Sequence, residues 1–192
     1  MRRQRNLLGP QGMGGMVGLW GASSLIENIQ YGTISFGISS TSATATITAV
    51  DTARTLVFDL RQSTDYNGGV ATQISSTTLT LTNSTTVTAA RAEAPSLNTV
   101  VASFVVVQLR PGIIRSVQYG LTSGQGSPTQ TITSVDTGKS VMVVLGETGN
   151  SGGRDDAFYA RGTLTNATTL TFTRGVSTGS GFSIGWMVAE FF

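Results

Sequence analysis

The stretch R-P-G-I-I-R-S-V-Q-Y-G, from Arg110 to Gly120, decides how the chain is organised. Its second half, S-V-Q-Y-G, nearly repeats N-I-Q-Y-G, which begins 88 residues earlier at Asn28. The sequences that follow the two copies are also similar and come in the same order. We therefore predict an N-terminal arm at residues 1–23, a first unit at 24–110 and a second unit at 111–192.

Three further blocks recur in the two units. A-T-A-T-I-T-A-V-D-T-A-R matches T-Q-T-I-T-S-V-D-T-G-K, and L-T-L-T-N-S-T-T-V-T-A-A-R matches G-T-L-T-N-A-T-T-L-T-F-T-R. Each unit closes on an apolar strand, V-V-A-S-F-V-V-V-Q-L or F-S-I-G-W-M-V-A-E-F, and the first of these is expected to be central and buried on both faces. Alternating β-branched and polar residues indicate strands. The expected fold is all-β, with two tandem β-sandwich-like repeats of about six strands each after a flexible arm.

The composition excludes several kinds of catalytic site. The chain has no Cys and no His, so it cannot supply a Ser-His-Asp triad, a Cys nucleophile or the usual zinc ligand sets. Asp51 and Asp136 sit at equivalent turns and are expected to bond their own backbone. Asn83 and Asn166 occupy equivalent hairpin bends, which we favour over a glycosylation role. We predict a protein that is not an enzyme and binds no cofactor.

A metal site is also not expected. Glu147, Asp155 and Asp156 fall near one Gly-rich loop, but the spacing of a calcium-binding loop is missing and Arg154 and Arg161 lie close in sequence. No pair of carboxylates suited to glycoside hydrolysis is visible in the sequence.

The basic character of the chain comes from its N-terminus. Without Arg2, Arg3 and Arg5, the chain has nine basic and ten acidic side chains, which argues against nucleic-acid binding. The arm is too short and too often broken by Gly and Pro to span a membrane. It is expected to dock on a partner; the alternatives are a solvated tail and an arm folded back on its own unit. The anchoring side chains would be Arg2, Arg3, Arg5, Leu7, Leu8, Met13, Met16, Leu19 and Trp20.

The two variable loops are the predicted places for ligand contact. They differ most between the units, as exposed loops do. The candidate contact residues are Tyr66, Asn67, Asp155, Asp156 and Tyr159. Tyr31 and Tyr119 belong to the repeated Q-Y-G and are expected to be structural.

The series I-Q-Y-G-x-I, A-T-I-T-x-V-D-T-x-[RK] and L-T-N-A-T-T-x-T-x-T-R, with an apolar closing strand, resembles a repeat of structural proteins in tailed bacteriophages. The resemblance covers residues 24–192. It implies a virion protein of the tail-fibre or head-attached decoration type, assembled in the host cytoplasm, bound to other virion proteins through its arm, and forming homo-oligomers, with a trimer favoured. The second unit departs from the pattern because it ends on Glu190-Phe191-Phe192 without a tip domain. The alternative is an adhesin module whose loops bind host-surface glycans.

Overall fold

The computed structural model describes residues 24–65, 76–92, 99–149, 160–174 and 181–192, and within them the chain is all-β, as predicted. The strands are β1 Ile26–Phe36, β2 Ser42–Thr46, β3 Thr55–Thr64, β4 Thr78–Asn83, β5 Thr86–Ala90, β6 Val100–Leu109, β7 Ile114–Gly124, β8 Thr129–Thr131, β9 Ser140–Gly149, β10 Ala160–Asn166, β11 Thr169–Arg174 and β12 Phe182–Phe191. A short 3-10 turn, Thr52–Arg54, precedes β3.

The strand pairings of β1–β6 recur in β7–β12. In the first half of the chain, residues 24–110, β6 lies between β1 and β3, and β5 lies between β2 and β4. In the second half, residues 111–192, β12 lies between β7 and β9, and β11 lies between β8 and β10. A bridge between Thr78 and Gly146 joins β4 to β9, so that one sheet crosses both halves. The division into two separate domains at residue 110 stays a prediction.

The Gln of each Q-Y-G forms hydrogen bonds to the backbone of a nearby segment. In the first half it connects β1 to the residues after β2, and in the second half it connects β7 to the residues after β8. Gln30 accepts a hydrogen bond from the backbone N of Thr48 (2.7 Å) and donates to its carbonyl (2.9 Å). Gln118 makes the same two bonds to Thr133, at 2.7 and 2.9 Å. A side-chain amide that imitates a strand partner in this way satisfies backbone groups that the sheets leave open.

The Gly of each Q-Y-G makes room for the large aromatic residue of the closing strand. A Cβ at Gly32 would overlap the Phe104 ring, and a Cβ at Gly120 would overlap the Trp186 indole. Gly32 pairs with Phe104 and Gly120 with Trp186 across the ladders. Each ring occupies the space that a Cβ on its cross-strand partner would need, which only glycine permits.

The polar residues at the turns act as predicted. Oδ1 of Asp51 accepts from Ala53 N at 3.0 Å, and Oδ1 of Asp136 accepts from Gly138 N at 2.9 Å. Oδ1 of Asn83 accepts from the N of Thr85, two residues on, and Asn166 bonds the N of its own second neighbour in the same way. These are the local bonds that make Asp and Asn frequent in turns.

The two halves share one hydrophobic core. The first core is formed by the sheets of the first half, and β12 of the second half contributes Met187 and Ala189 to it. The other face of β12 places Ile184, Trp186 and Val188 in a second core, formed within the second half. Burial of each large apolar side chain contributes about 1.5–3 kcal/mol. β12 therefore stabilises both halves at once.

β7 and β12 both lie close to the first half, and the chain enters β7 through a sharp turn. Gly112 turns the chain with a positive φ of 82°. Seven residues beyond this turn, the hydroxyl of Tyr119 on β7 donates to the carbonyl of Thr55 at the start of β3. A Cβ at Gly185 of β12 would lie 3.0 Å from the Leu79 carbonyl on β4, so glycine lets these strands approach. The second half thus packs against the β3 and β4 edge of the first.

Candidate binding cleft between the two halves

A cleft of about 330 Å³ opens where β3 and β4 of the first half meet β9 of the second. Its lining is mainly polar and includes two carboxylates. The lining residues are Asp59, Arg61, Gln62, Ser76, Thr77, Val144, Gly146, Glu147 and Ala160. We name this space the junction cleft.

Asp59 reaches the junction cleft from a β-bulge. The register of β3 against β6 shifts between Asp59 and Gln62, and Arg61 within the bulge has a φ of +81°. The backbone N of Arg61 donates to Oδ1 of Asp59 at 2.8 Å. Burial raises the pKa of the Asp59 carboxyl above its ordinary value, although this bond and the Arg61 charge oppose the shift. The bulge therefore presents a desolvated acid to the cleft.

Glu147 occupies the corresponding bulge of β9. The register of β9 against β12 shifts between Ile184 and Trp186, and Gly146 has a φ of +87°. Burial raises the pKa of Glu147 to about 7, against the opposing effects of the Ala160 N–H and the charge of Arg174. Oε2 accepts from Ala160 N at 2.9 Å. Oε1 is buried and has no hydrogen-bond partner in the described part of the chain.

Thr77 is a buried residue in the lining of the cleft. Only 1% of this residue is exposed, and its Oγ1 has no hydrogen-bond partner among the described residues. Buried polar atoms are nearly always bonded in native proteins, to protein or to a bound molecule. Two such atoms, on Thr77 and Glu147, lie in residues that line one space. The walls of the junction cleft therefore hold two buried oxygens, Thr77 Oγ1 and Glu147 Oε1, that no hydrogen bond of the described residues satisfies.

The other acids within the described ranges have structural partners. Glu27 and Asp51 both pair with Arg54, which lowers the pKa of each carboxyl. Glu190 is buried, and its Oε1 accepts from the backbone N of Asp136 at 3.0 Å. These contacts hold strands and turns together.

The site residues predicted from sequence all lie outside the described residues. Those of the arm fall in 1–23, and those of the two loops fall in 66–75 and 150–159. Ser76 and Thr77 follow the first of these loops directly, and Ala160 follows the second. All three line the junction cleft. The two predicted loops are thus adjacent in sequence to residues of the junction cleft, whereas Asp59 and Thr77 were not predicted. Arg61 was expected at the start of the first loop but lies in β3.

A second cleft of about 450 Å³ lies where β7 ends and β12 begins. It is lined by Ala92, Ser123, Gly124, Gln125, Thr148, Gly181, Phe182 and Ser183, none of which is charged. Among the described residues, no three His, Cys, Asp or Glu side chains form a metal-binding group. In the same part of the chain we find no helix with the length and hydropathy needed to cross a bilayer.

Comparison with known proteins returned no relative. No family model matches the chain, and no curated protein or solved structure is significantly similar to it.

Proposed function

We propose that this chain is a non-enzymatic structural protein of a bacteriophage particle, anchored by its arm with the β body projecting as a short fibre or decoration. The proposal rests on the motif resemblance and on one feature of the surface. Leu25, Ile26, Ile29 and Tyr31, which come directly after the arm, expose 62%, 38%, 44% and 76% of their surface. We name these four residues the β1 strip.

The β1 strip supports a docking role because it continues the apolar character of the arm. Solvent-exposed apolar patches mark interaction surfaces when they are contiguous. In the second half, Tyr119 is half-buried against the first half, whereas its counterpart Tyr31 is exposed. A neighbouring subunit or another virion protein would cover the side chains that the chain itself leaves open. A homo-oligomer, with a trimer favoured, fits this need.

Deletion of residues 1–23 tests the anchor. We expect the truncated protein to keep its β-sheet circular dichroism but to be missing from assembled particles, which are analysed by immunoblot after purification. Incorporation at the level of the full chain would refute the anchor.

Paired serine substitutions test the β1 strip. Ile29→Ser with Tyr31→Ser should lower the oligomeric state measured by light scattering. The control is Leu121→Ser, which alters a residue of 51% exposure on β7. An oligomer that persists in the double variant, or dissociates equally in the control, would argue against an interface at the β1 strip.

Glycan binding is the second candidate function, and the junction cleft is the observation that favours it. Carboxylate, guanidinium, amide and hydroxyl groups suited to sugar hydroxyls line the cleft, and three of its residues directly follow the variable loops in sequence. Binding of the purified protein to host cells, lost in Tyr66→Ala and Tyr159→Ala, would support this function. Unchanged binding in both variants would exclude these loops.

A further inference from the structure

We propose that the outer edges of β3 and β10 form a joint between copies of this chain, and that Arg61 and Arg161 hold this joint closed in the wild-type protein. The proposed virion role rests on the arm and the β1 strip, so either inference can fail without the other.

The two halves of one chain are already joined edge to edge. The six-stranded sheet runs β2-β5-β4-β9-β12-β7, and β4 meets β9 at the bridge between Thr78 and Gly146. This joint requires glycine at position 146, because a Cβ there would lie 2.1 Å from the carbonyl oxygen of Thr77. The φ of Gly146, +87°, also favours glycine.

The other two sheets end on the repeat counterparts of the joined edges. Their orders are β1-β6-β3 and β10-β11-β8, and no strand of the described residues pairs with the outer edge of β3 or of β10. Side by side they would read β8-β11-β10-β3-β6-β1, which is the order of the six-stranded sheet with each strand replaced by its counterpart. A second copy of the chain would supply this pairing, with β10 of one copy beside β3 of the next.

The bulge of β3 has the same backbone conformation as the bulge of β9. In both ladders two residues are left without a partner, and Leu60 and Arg61 take the places of Leu145 and Gly146. The φ of Arg61 is +81°, close to that of Gly146. Leu60 is 46% exposed, whereas Leu145 has no exposed surface. The β3 edge thus leaves open an apolar side chain whose counterpart at the internal joint is buried.

Both residues of the bridging pair are replaced by arginine at the free edges. Arg61 takes the place of Gly146, and Arg161 on β10 takes the place of Thr78. In a joint of the same geometry, the Cβ of Arg61 would overlap the carbonyl of Ala160. The two arginines would also face each other, and like charges directly opposite on paired strands are destabilising. Charged side chains and bulges protect free sheet edges from pairing in this way.

Two double variants that differ by one methyl group test the joint. The first, Arg61→Gly with Arg161→Thr, restores the residue types of the internal bridge. The second, Arg61→Ala with Arg161→Thr, has the same charge but keeps a Cβ at position 61. In sedimentation velocity, the first variant should have a weight-average mass about twice that of the wild type or more, because head-to-tail contacts form rings or filaments. The second variant should keep the wild-type mass.

The second variant also serves as a chain terminator. Its β10 edge is open and its β3 edge is blocked, so an excess of it should shorten the oligomers of the first variant. A contact between two identical β3 edges would not respond in this way. Far-ultraviolet circular dichroism checks that both variants keep their β-sheet. If the first variant does not fold, Arg61→Gly and Arg61→Ala alone give the same comparison.

Each arm of the experiment can overturn the proposal. An unchanged mass of the first variant would mean that the β3 and β10 edges do not pair. An equal increase in the second variant would mean that the Cβ of Arg61 is not what closes the joint. Oligomers that the second variant does not shorten would not be joined head to tail.

Discussion

Replacement of Tyr119 by Phe tests the packing of the second half on the first. The Tyr119 hydroxyl donates to the carbonyl of Thr55, a residue with no exposed surface. Loss of a hydrogen bond costs about 0.5–1.5 kcal/mol, and more where a buried acceptor is left without its donor. We expect Tyr119→Phe to lower the free energy of unfolding by about 1–2 kcal/mol, which corresponds to a decrease of about 2–8 °C in Tm.

The chain contains its own control for this substitution. Tyr31 holds the same place in the first Q-Y-G, but 76% of it is exposed. Tyr31→Phe should change the free energy of unfolding by less than about 0.5 kcal/mol in dilute, monomeric protein. Guanidinium titrations followed by tryptophan fluorescence and by far-ultraviolet circular dichroism give both values. Equal effects of the two substitutions would refute the interface described for Tyr119.

The remaining predictions concern the shared core, the junction cleft and one glycine. Met187→Ala should cost about 2–5 kcal/mol and leave a single unfolding transition by both probes, because β12 belongs to both cores; two separate transitions would contradict this. The free energy of unfolding should decrease from pH 4.5 to 7, because burial raises the pKa of Glu147 to about 7 from an ordinary 4.5. Below that range the carboxyl is protonated in both states, and above it the folded chain holds a desolvated charge. The pKa difference limits this loss of unfolding free energy to about 3 kcal/mol, and solvent at the open cleft reduces it to about 1–2 kcal/mol. Glu147→Gln should remove most of this pH dependence. Gly120→Ala should destabilise the protein by about 1–3 kcal/mol through overlap with Trp186, whereas Gly37→Ala, with no atom near the added Cβ, should be nearly neutral in a thermal melt.

Local features of the fold could be predicted because they depend on a few neighbouring residues. Asp51 and Asp136 bond the turn that follows each of them, and alternating Thr and apolar residues mark the hairpins. The prediction that the closing strand of the first unit is central is confirmed, since β6 lies between β1 and β3. Burial on both faces is more complete in β12, because the second core covers the face opposite Met187. The sequence contains no indication of which surface covers which strand.

The junction cleft could not be predicted, because its residues are distant in sequence. Asp59 and Glu147 are 88 positions apart and come together only because β3 and β4 pack beside β9. One local signal was available: Asp59 interrupts the apolar strand L-V-F-D-L, and a charged residue at such a position suggests a bulge or a cavity. Thr77 gave no signal, since the chain is rich in Thr on strand faces. The candidate residues of the arm and loops lie outside the described ranges and stay predictions.

The position of β12 between two cores also bears on how the protein is made. A ribosome synthesises β12 last among the twelve described strands, so neither core is complete until residues 182–191 have emerged. Until then, the apolar side chains of β4 and β6 lack Met187 and Ala189 of β12, which complete their core. Folding dominated by such distant contacts is slow and exposes the nascent chain to aggregation. We therefore expect nascent chains that stop before residue 182 to be bound by chaperones and open to proteases, and protection to appear in one step once β12 is available.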